Sequence, residues 1–271
     1  MIATVLVGLG IAILIFVPLE RIFPLRRDQR IFRRGWRTDT MHFLVTNQLV
    51  QLATIAVVFI PAVSLAVLVR PWLGPLVTSQ PWELQLVEAI VIVAFGGYVG
   101  HRLMHEVPFL WRFHRVHHSI EEMDWLAASR VNPLDSAFTR AVAVLPLVAL
   151  GFSKATFGAY LLITPAIAIL VHANVRWRVP RGLRWVIPSP EWHHWHHAAE
   201  AAAVNRNYSA EFPWIDALLG TAYFPRGERP SAYGLDESEP AVPLTWWRHM
   251  VYPFTKHASR VRAPATCGGS G

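Results

Sequence analysis

Cysteine is all but absent from this chain: the single one, Cys267, stands in a Gly/Ser-ending tail, which excludes a disulfide framework and a thiolate metal site. Any metal held here must be held by nitrogen or oxygen. Charge is scarce as well. Asp, Glu, Lys and Arg make up 16% of the 271 residues, against about 25% in soluble domains, so water is a poor solvent for much of the chain. No Gly-rich dinucleotide fingerprint, no CxxC pair and no internal repeat occurs. Low complexity is confined to the last few residues. The local signatures of dinucleotide-binding, thiol-redox and solenoid proteins are thus missing, and the length suits one sizeable domain.

What is there instead is apolar. Hydrophobic residues make up 53% of the chain, with runs at 2–19, 41–69, 84–100 and 137–172. These are near or above the ~18 to 20 residues that cross a ~30 Å hydrocarbon core. The first run reads as a membrane helix rather than a signal peptide, because its basic residues follow it and no small-residue cleavage site comes after. The last is interrupted at Gly151-Phe152-Ser153-Lys154 and carries Pro146 and Pro165, so it reads as two shorter helices in a hairpin. The expected fold class is all-α: an integral membrane helical bundle of about four to five membrane helices with a cytoplasmic histidine-rich helical cap.

Charge is placed unevenly. The net charge is +7, but the basic residues lie beside the apolar runs rather than on a separate basic face, which argues against nucleic acid as a partner. Residues 20–40 hold Arg21, Arg26, Arg27, Arg30, Arg33, Arg34 and Arg37 against Glu20, Asp28 and Asp39. Residues 174–190 hold Arg176, Arg178, Arg181 and Arg184 with no acid, whereas the connection 70–83 carries only Arg70 and Glu83. Because basic loops stay in the cytoplasm, the N-terminus is expected outside, 20–40 inside, 70–83 outside, and everything from about 101 onward inside except the 137–172 hairpin. Beyond residue 173 the chain is rich in tryptophan, at Trp177, Trp185, Trp192, Trp195 and Trp214, a residue that favours the membrane–water interface. Pro225, Pro230, Pro240 and Pro243 mark a cytosolic or surface-lying tail ending in an amphipathic helix around Trp246-Trp247-Arg248.

Thirteen histidines occur, ten of them between 101 and 197. His101-Arg-Leu-Met-His105 sets two imidazoles at i and i+4, on one helix face. His114-Arg-Val-His117-His118 and His193-His-Trp-His196-His197 each give i, i+3, i+4, again one face. Neutral imidazole binds zinc, copper, iron or nickel, and one structural metal takes about four ligands. Eight clustered histidines therefore suggest two metal ions, placed where the apolar run 84–100 ends and within reach of a lipid from the bilayer. For the isolated His42, His249 and His257 a capping or hydrogen-bonding role is expected. For the clusters the bland alternatives are interfacial polar residues or a proton-conducting chain, and the repeated His-x-x-His-His spacing weighs against both. His194, beside the third cluster's face, is an alternative to His196 and is placed behind the ligands.

These residues carry a resemblance. Across roughly 85–225 the chain resembles the fatty acid hydroxylase and sterol desaturase superfamily, whose members show three boxes of the forms His-x3-His, His-x2-His-His and His-x2-His-His. Tyr98 before the first box, the stretch LWRFHRVHHS from Leu110, Arg130 with Pro133, His172 with Asn174, Pro190 before His193, and Asn207-Tyr208 followed by Trp214-Ile-Asp216 and Gly220-Thr221 are similar to the family pattern. Ala94 departs from it, standing where the family often has an aspartate. The resemblance implies an additional ligand at His172, and so the set His101, His105, His114, His117, His118, His172, His193, His196 and His197. It divides the chain into N-terminal membrane helices and a basic loop at 1–83, a catalytic domain at 84–225 and a tail at 226–271.

What the resemblance further implies is a non-haem site of two Fe ions, with Zn as an alternative occupant, that uses O2 to attack an unactivated C–H bond of a membrane lipid. Electrons must come from an external donor, a cytochrome, ferredoxin or reductase, since the chain offers no haem, flavin or iron–sulfur domain. Hydroxylation, desaturation and ether cleavage share this spacing. A zinc-dependent membrane hydrolase, with Glu106, Glu121, Glu122 or Glu191 as its base, is the reading from another class, and a haem-carrying cytochrome would leave the clusters unexplained.

Overall fold

The chain is described here from a computed structural model covering residues 2–255 other than 178, 226 and 237, and only the backbone at Ile2 and Phe59. His257, Cys267 and Arg178 lie outside the described residues. Among those described there are helices and two isolated bridges, Pro24 with Val175 and Ala198 with Tyr233. The long elements are α1 (Ile2–Ile22), α2 (Trp36–Met41) continued by a π-helical turn (His42–Thr46) into α3 (Asn47–Thr78), and α4 (Trp82–Glu106). Then follow α5 (Pro108–His118), a 3-10 turn (Trp125–Ser129), α6 (Pro133–Leu150) and α7 (Lys154–His172). Three short helices close the chain: α8 (Pro190–His196), α9 (Pro213–Leu219) and α10 (Trp246–Val251).

Six segments are long and apolar enough to cross a membrane: Ala3–Ile22, Trp36–Val58, Ile60–Thr78, Trp82–Glu106, Pro133–Leu150 and Lys154–His172. Two of them share one helical path. It runs from Trp36 through the π-helical turn to Thr78 without a break. The six candidates exceed the four to five expected, because the path from α2 through α3 carries two of them. Large apolar side chains on the spans, such as Leu14, Ile60 and Leu162, point outward, as a lipid-facing surface requires.

The hairpin expected at 137–172 is present: α6 ends at Leu150, Gly151 takes the left-handed conformation at φ 82°, and Ser153 caps α7 by accepting from the Thr156 amide. The connection expected at 70–83 is much shorter, because α3 continues through Pro71 and Pro75 to Thr78. Each proline removes one hydrogen bond, but apolar surroundings offer the remaining backbone groups no partner better than the helix.

Two glycines set how α4 meets α6. A Cβ on Gly96 would stand 2.7 Å from the Ala143 Cα, and one on Gly100 would stand 3.1 Å from the Thr139 Cα. Only glycine permits that approach, and it brings the first histidine box at the end of α4 beside the start of α6.

The cap consists of residues 107–132 and 173–255, which contain no candidate span among the described residues. It is tied to the N-terminal helices by buried polar groups. The Glu20 carboxylate accepts from the amides of Trp125 and Asn174, each at 2.8 Å. Asp39 receives Arg130 through Nε (2.6 Å) and Nη2 (2.9 Å), and receives Arg33 at 2.7 Å, while Arg33 also reaches Asp124 at 2.6 Å. Arg33 is therefore a buried ion-pair residue rather than a solvated member of a basic loop. Trp192 and Trp195 are likewise buried in the cap rather than placed at an interface. The Trp192 ring sits against Trp185 and Phe224, and its Nε1 donates to the Ser209 carbonyl.

Candidate metal centre

All nine predicted ligands come from helix ends that meet beneath the spans. His101 and His105 lie in the last two turns of α4, His114, His117 and His118 on the buried face of α5, and His172 on the last residue of α7. His193 and His196 lie on α8, whose C-cap is His197. Pro108 and Pro190, in the first turns of α5 and α8, start those helices at no hydrogen-bond cost. The rings form two groups, His101, His105, His114, His118 and His196 in one, and His117, His172, His193 and His197 in the other. Within each group the ligand nitrogens lie within 4.8 Å of one another. The groups share a wall, with the His118 and His197 ring centroids 4.6 Å apart.

Hydrogen bonds on the outer ring nitrogens decide what faces inward. His117 Nδ1 donates to the Arg130 carbonyl at 3.0 Å and His172 Nδ1 to the Ala168 carbonyl at 2.7 Å. A carbonyl only accepts, so both protons sit on Nδ1 and both Nε2 atoms are bare lone pairs. Those Nε2 atoms stand 3.2 Å apart, and His193 Nε2 stands 3.2 Å from that of His172. In the five-histidine group, His101 donates through Nδ1 to the Tyr208 carbonyl (2.6 Å), His196 to the Arg206 carbonyl (2.8 Å), and His114 to Asp135 Oδ2 (2.9 Å). Their Nε2 atoms again converge, His101 on His114 and His118 on His196, at 3.0 Å each. Facing lone pairs repel unless a cation lies between them. Two nitrogens each about 2.1 Å from one ion stand about 3 Å apart at a right angle, so the spacing fits a metal in each group.

The outer partners are themselves held. Asp216 accepts from the Tyr208 amide (2.7 Å), the Ser209 amide (2.8 Å) and the Thr221 hydroxyl (2.7 Å), fixing the turn that offers its carbonyls to His101 and His196. Asn205 and Asn207, flanking Arg206, take left-handed φ values of 58° and 55°, which asparagine tolerates better than most residues. Asn207 then binds the backbone of Trp192 and Tyr223 through its amide. Tyr98 meets Thr221 at 3.0 Å. Ala94 is packed among Tyr98, Tyr208 and Ile215 with no polar role.

His194 belongs to neither group. Its Nδ1 faces the Tyr233 hydroxyl and its Nε2 the His172 carbonyl. His42 and His249 pair with each other at 2.9 Å, far from the rings in role, and link α10 to the π turn. Sequence reasoning passed over Asp135, Glu20, Arg33 and Asp39 as site supports. Of these only Asp135 left a local signal, an acid in the first turn of the helix that follows the second box.

Burial first, and then the neighbouring rings, hold His117, His118, His193, His196 and His197 well below the ordinary value of 6.5. The folded site thus favours neutral imidazole, the form that binds metal. Since the folded values are depressed, the unfolded chain takes up protons first, and stability is lost on the acid side. Melting temperature and bound metal per chain should hold steady above about pH 7 and fall together below about 6.5; a flat profile down to pH 5 would contradict buried, neutral rings.

A cavity of about 270 Å³ reaches His105, His118 and His196 from outside, walled by Pro108, Trp111, Val204 and Leu235, with Glu106, Asp236 and Glu239 on its sides.

Fold and site together define a helical membrane-type protein with a two-part histidine centre at one end of its bundle. A family model for fatty acid hydroxylase matches residues 86–221, about half the chain, and the chain belongs to that family. An ornithine lipid hydroxylase of Rhizobium tropici is 33% identical over 80% of this chain and 63% of its own length. Alkylglycerol monooxygenases of Caenorhabditis elegans and Homo sapiens are 26% and 27% identical over 66% and 61% of this chain, and 35% and 34% of theirs. The chain thus spans less than two thirds of each of these relatives. No solved structure matches it.

Proposed function

We propose that this chain is a multi-pass membrane oxygenase that inserts one oxygen atom of O2 into a C–H bond of a lipid, with two iron ions held by the nine histidines. The observation that carries the reading is the pair of bare Nε2 atoms of His117 and His172, 3.2 Å apart, each with its tautomer dictated by a backbone carbonyl. Names of relatives support the substrate class, one a lipid hydroxylase and two alkylglycerol monooxygenases.

His101, His105, His114, His118 and His196 would hold one ion, and His117, His172, His193 and His197 the other. Iron in an all-nitrogen site supplies O2 binding and oxidation of a C–H bond. The chain's own groups do the rest. The carbonyls of Arg130, Ala168, Arg206 and Tyr208 and the carboxylate of Asp135 keep the outer protons of His117, His172, His196, His101 and His114 on Nδ1 and orient those five rings. Seven of the nine rings are buried, and the site opens to the outside through the described cavity at His105, His118 and His196. Hydroxylation consumes O2, two electrons and two protons per C–H bond and releases one water, so an external donor must dock. The cytoplasmic face is the proposed docking side, because Arg26 and Arg34, from the basic segment after α1, bind the histidine-bearing cap at the Pro230 carbonyl and Glu121.

Purified chain should carry about two irons and consume O2 only with a donor and NAD(P)H present. Lipid extracts of expressing cells should show a mass gain of one oxygen. Zinc as sole metal with anaerobic turnover would establish the hydrolase instead, and loss of two hydrogens would establish desaturation.

A further inference from the structure

A donor protein docked outside cannot touch most of the rings, which lie beneath the surface. Electron tunnelling weakens exponentially with distance, and it weakens faster across a water-filled gap than across packed, π-bonded atoms. What stands between the donor and the ligands therefore sets the rate.

Trp111 stands there. It lies on α5 three residues before His114 and seven before His118, hence on the same helix face. Its ring centroid is 5.1 Å from that of His105, 5.4 Å from His118 and 6.2 Å from His114, so it packs against three of the five rings of one group. The same indole lines the cavity that opens outside. Its Nε1 donates to Glu239 Oε1 at 3.3 Å, while Arg115 holds the other oxygen of that carboxylate at 2.7 Å and sets its guanidinium 5.8 Å from the indole centroid. The ring is thus held in one orientation. Tyr208 also packs on this group, 5.2 Å from His105, but it is 1% exposed and does not line the cavity.

From His118 the contact continues inward. Its ring stacks on His197 with centroids 4.6 Å apart and 23° between the planes, and His197 belongs to the four-histidine group. Among the described residues, no Phe, Tyr or Trp ring packs against that second group; its ring neighbours are histidines. Its shortest aromatic connection to the outside therefore runs through His118 and Trp111.

We infer that Trp111 is the point at which electrons enter the centre, passing from an external protein donor through the indole to the five-histidine group, and through the stacked His118 and His197 to the other. The inference rests on the oxygenase reading with iron. In each transfer the donor loses one electron and one ferric ion becomes ferrous; no bond forms or breaks, and the indole mediates without itself being oxidised. Two such transfers supply the two electrons that hydroxylation consumes.

The test is anaerobic reduction of the iron-loaded full chain in detergent by flash-reduced tris(bipyridine)ruthenium, a strong reductant too bulky for the cavity, followed as loss of the ferric absorption. Trp111→Leu should slow reduction by about tenfold or more, with bound iron and the melting-temperature shift on chelation unchanged. Trp111→Phe, which keeps a smaller ring, should fall between. Trp247→Leu, on α10 at a position 59% exposed, should be reduced at the parent rate.

Reduction of Trp111→Leu at the parent rate with its iron retained, or an equal slowing in Trp247→Leu, overturns the assignment. Loss of iron in both Trp111 variants overturns it too, since the indole would then be bracing the ligands rather than feeding them. If only the leucine variant loses iron, the phenylalanine variant decides: slower reduction than the parent supports the inlet, and an equal rate overturns it. A parent chain whose centre takes up no electron refutes the iron reading itself, and the inlet with it. A centre reduced through Trp111 that yields no oxygenated lipid in O2 refutes the oxygenase and leaves the inlet standing.

Discussion

His117→Ala is expected to abolish most of the stabilisation that metal confers, with turnover more than about 100-fold down, beyond the 10- to 100-fold typical of losing only an outer-sphere partner. The reason is geometric. His117 contributes one of four converging nitrogens, and its Nε2 lies 3.2 Å from that of His172. A ligand that binds only the folded state stabilises in proportion to the logarithm of its concentration over Kd. The drop in melting temperature on chelation should therefore be large in the parent chain and small in the variant. His194→Ala is the control, since that ring lies in neither group and has both nitrogens engaged, by Tyr233 and by the His172 carbonyl. It should retain two metals per chain and most of its chelation shift. If His194→Ala lost metal and His117→Ala kept it, the ligand assignment would be reversed.

Much of this centre is legible in the sequence because helical periodicity is a local signal. Spacings of i, i+3 and i+4 put His193, His196 and His197 on one face and leave His194 on another, and the structure separates them that way. Gly151 and Ser153 likewise announce the break between α6 and α7 within three residues. His172 carries no such pattern, and only its likeness to the family marks it. The supports of the site are less legible still. Arg130 finds its counter-charge in Asp39, 91 residues earlier, and Glu20 caps an amide 154 residues away. Read in isolation, Arg33 looks like one more basic residue flanking an apolar run, and only the fold shows that two aspartates bury it. Trp192 misleads for a related reason. An indole suits an interface, but it suits a cap interior equally well once its N–H finds the Ser209 carbonyl.

Asp39→Asn should then be the most damaging change outside the histidines, although it lies outside the matched residues 86–221. Both arginines that converge on Asp39 are buried, and the Arg33 and Asp39 side chains are 0% exposed. Removing the carboxylate charge leaves Arg130 without its main ionic partner and Arg33 with Asp124 alone. Breaking a buried pair in this way costs roughly 3–5 kcal/mol. The damage should also reach the metal. Arg130 is held at its guanidinium by Asp39, while its carbonyl takes the Nδ1 proton of His117. Gly35, left-handed at φ 87°, leaves room for that guanidinium, which a Cβ there would strike. Loosening Arg130 should therefore weaken metal binding in the four-histidine group by about 10- to 100-fold, with the five-histidine group less affected. Metal titration monitored by melting temperature would show one site weakened and one retained. Adding Arg130→Met to Asp39→Asn should cost less than the two single changes together, because the unpaired charge is then gone. Strict additivity, or full metal affinity in Asp39→Asn, would mean that this ion cluster braces the cap without positioning His117.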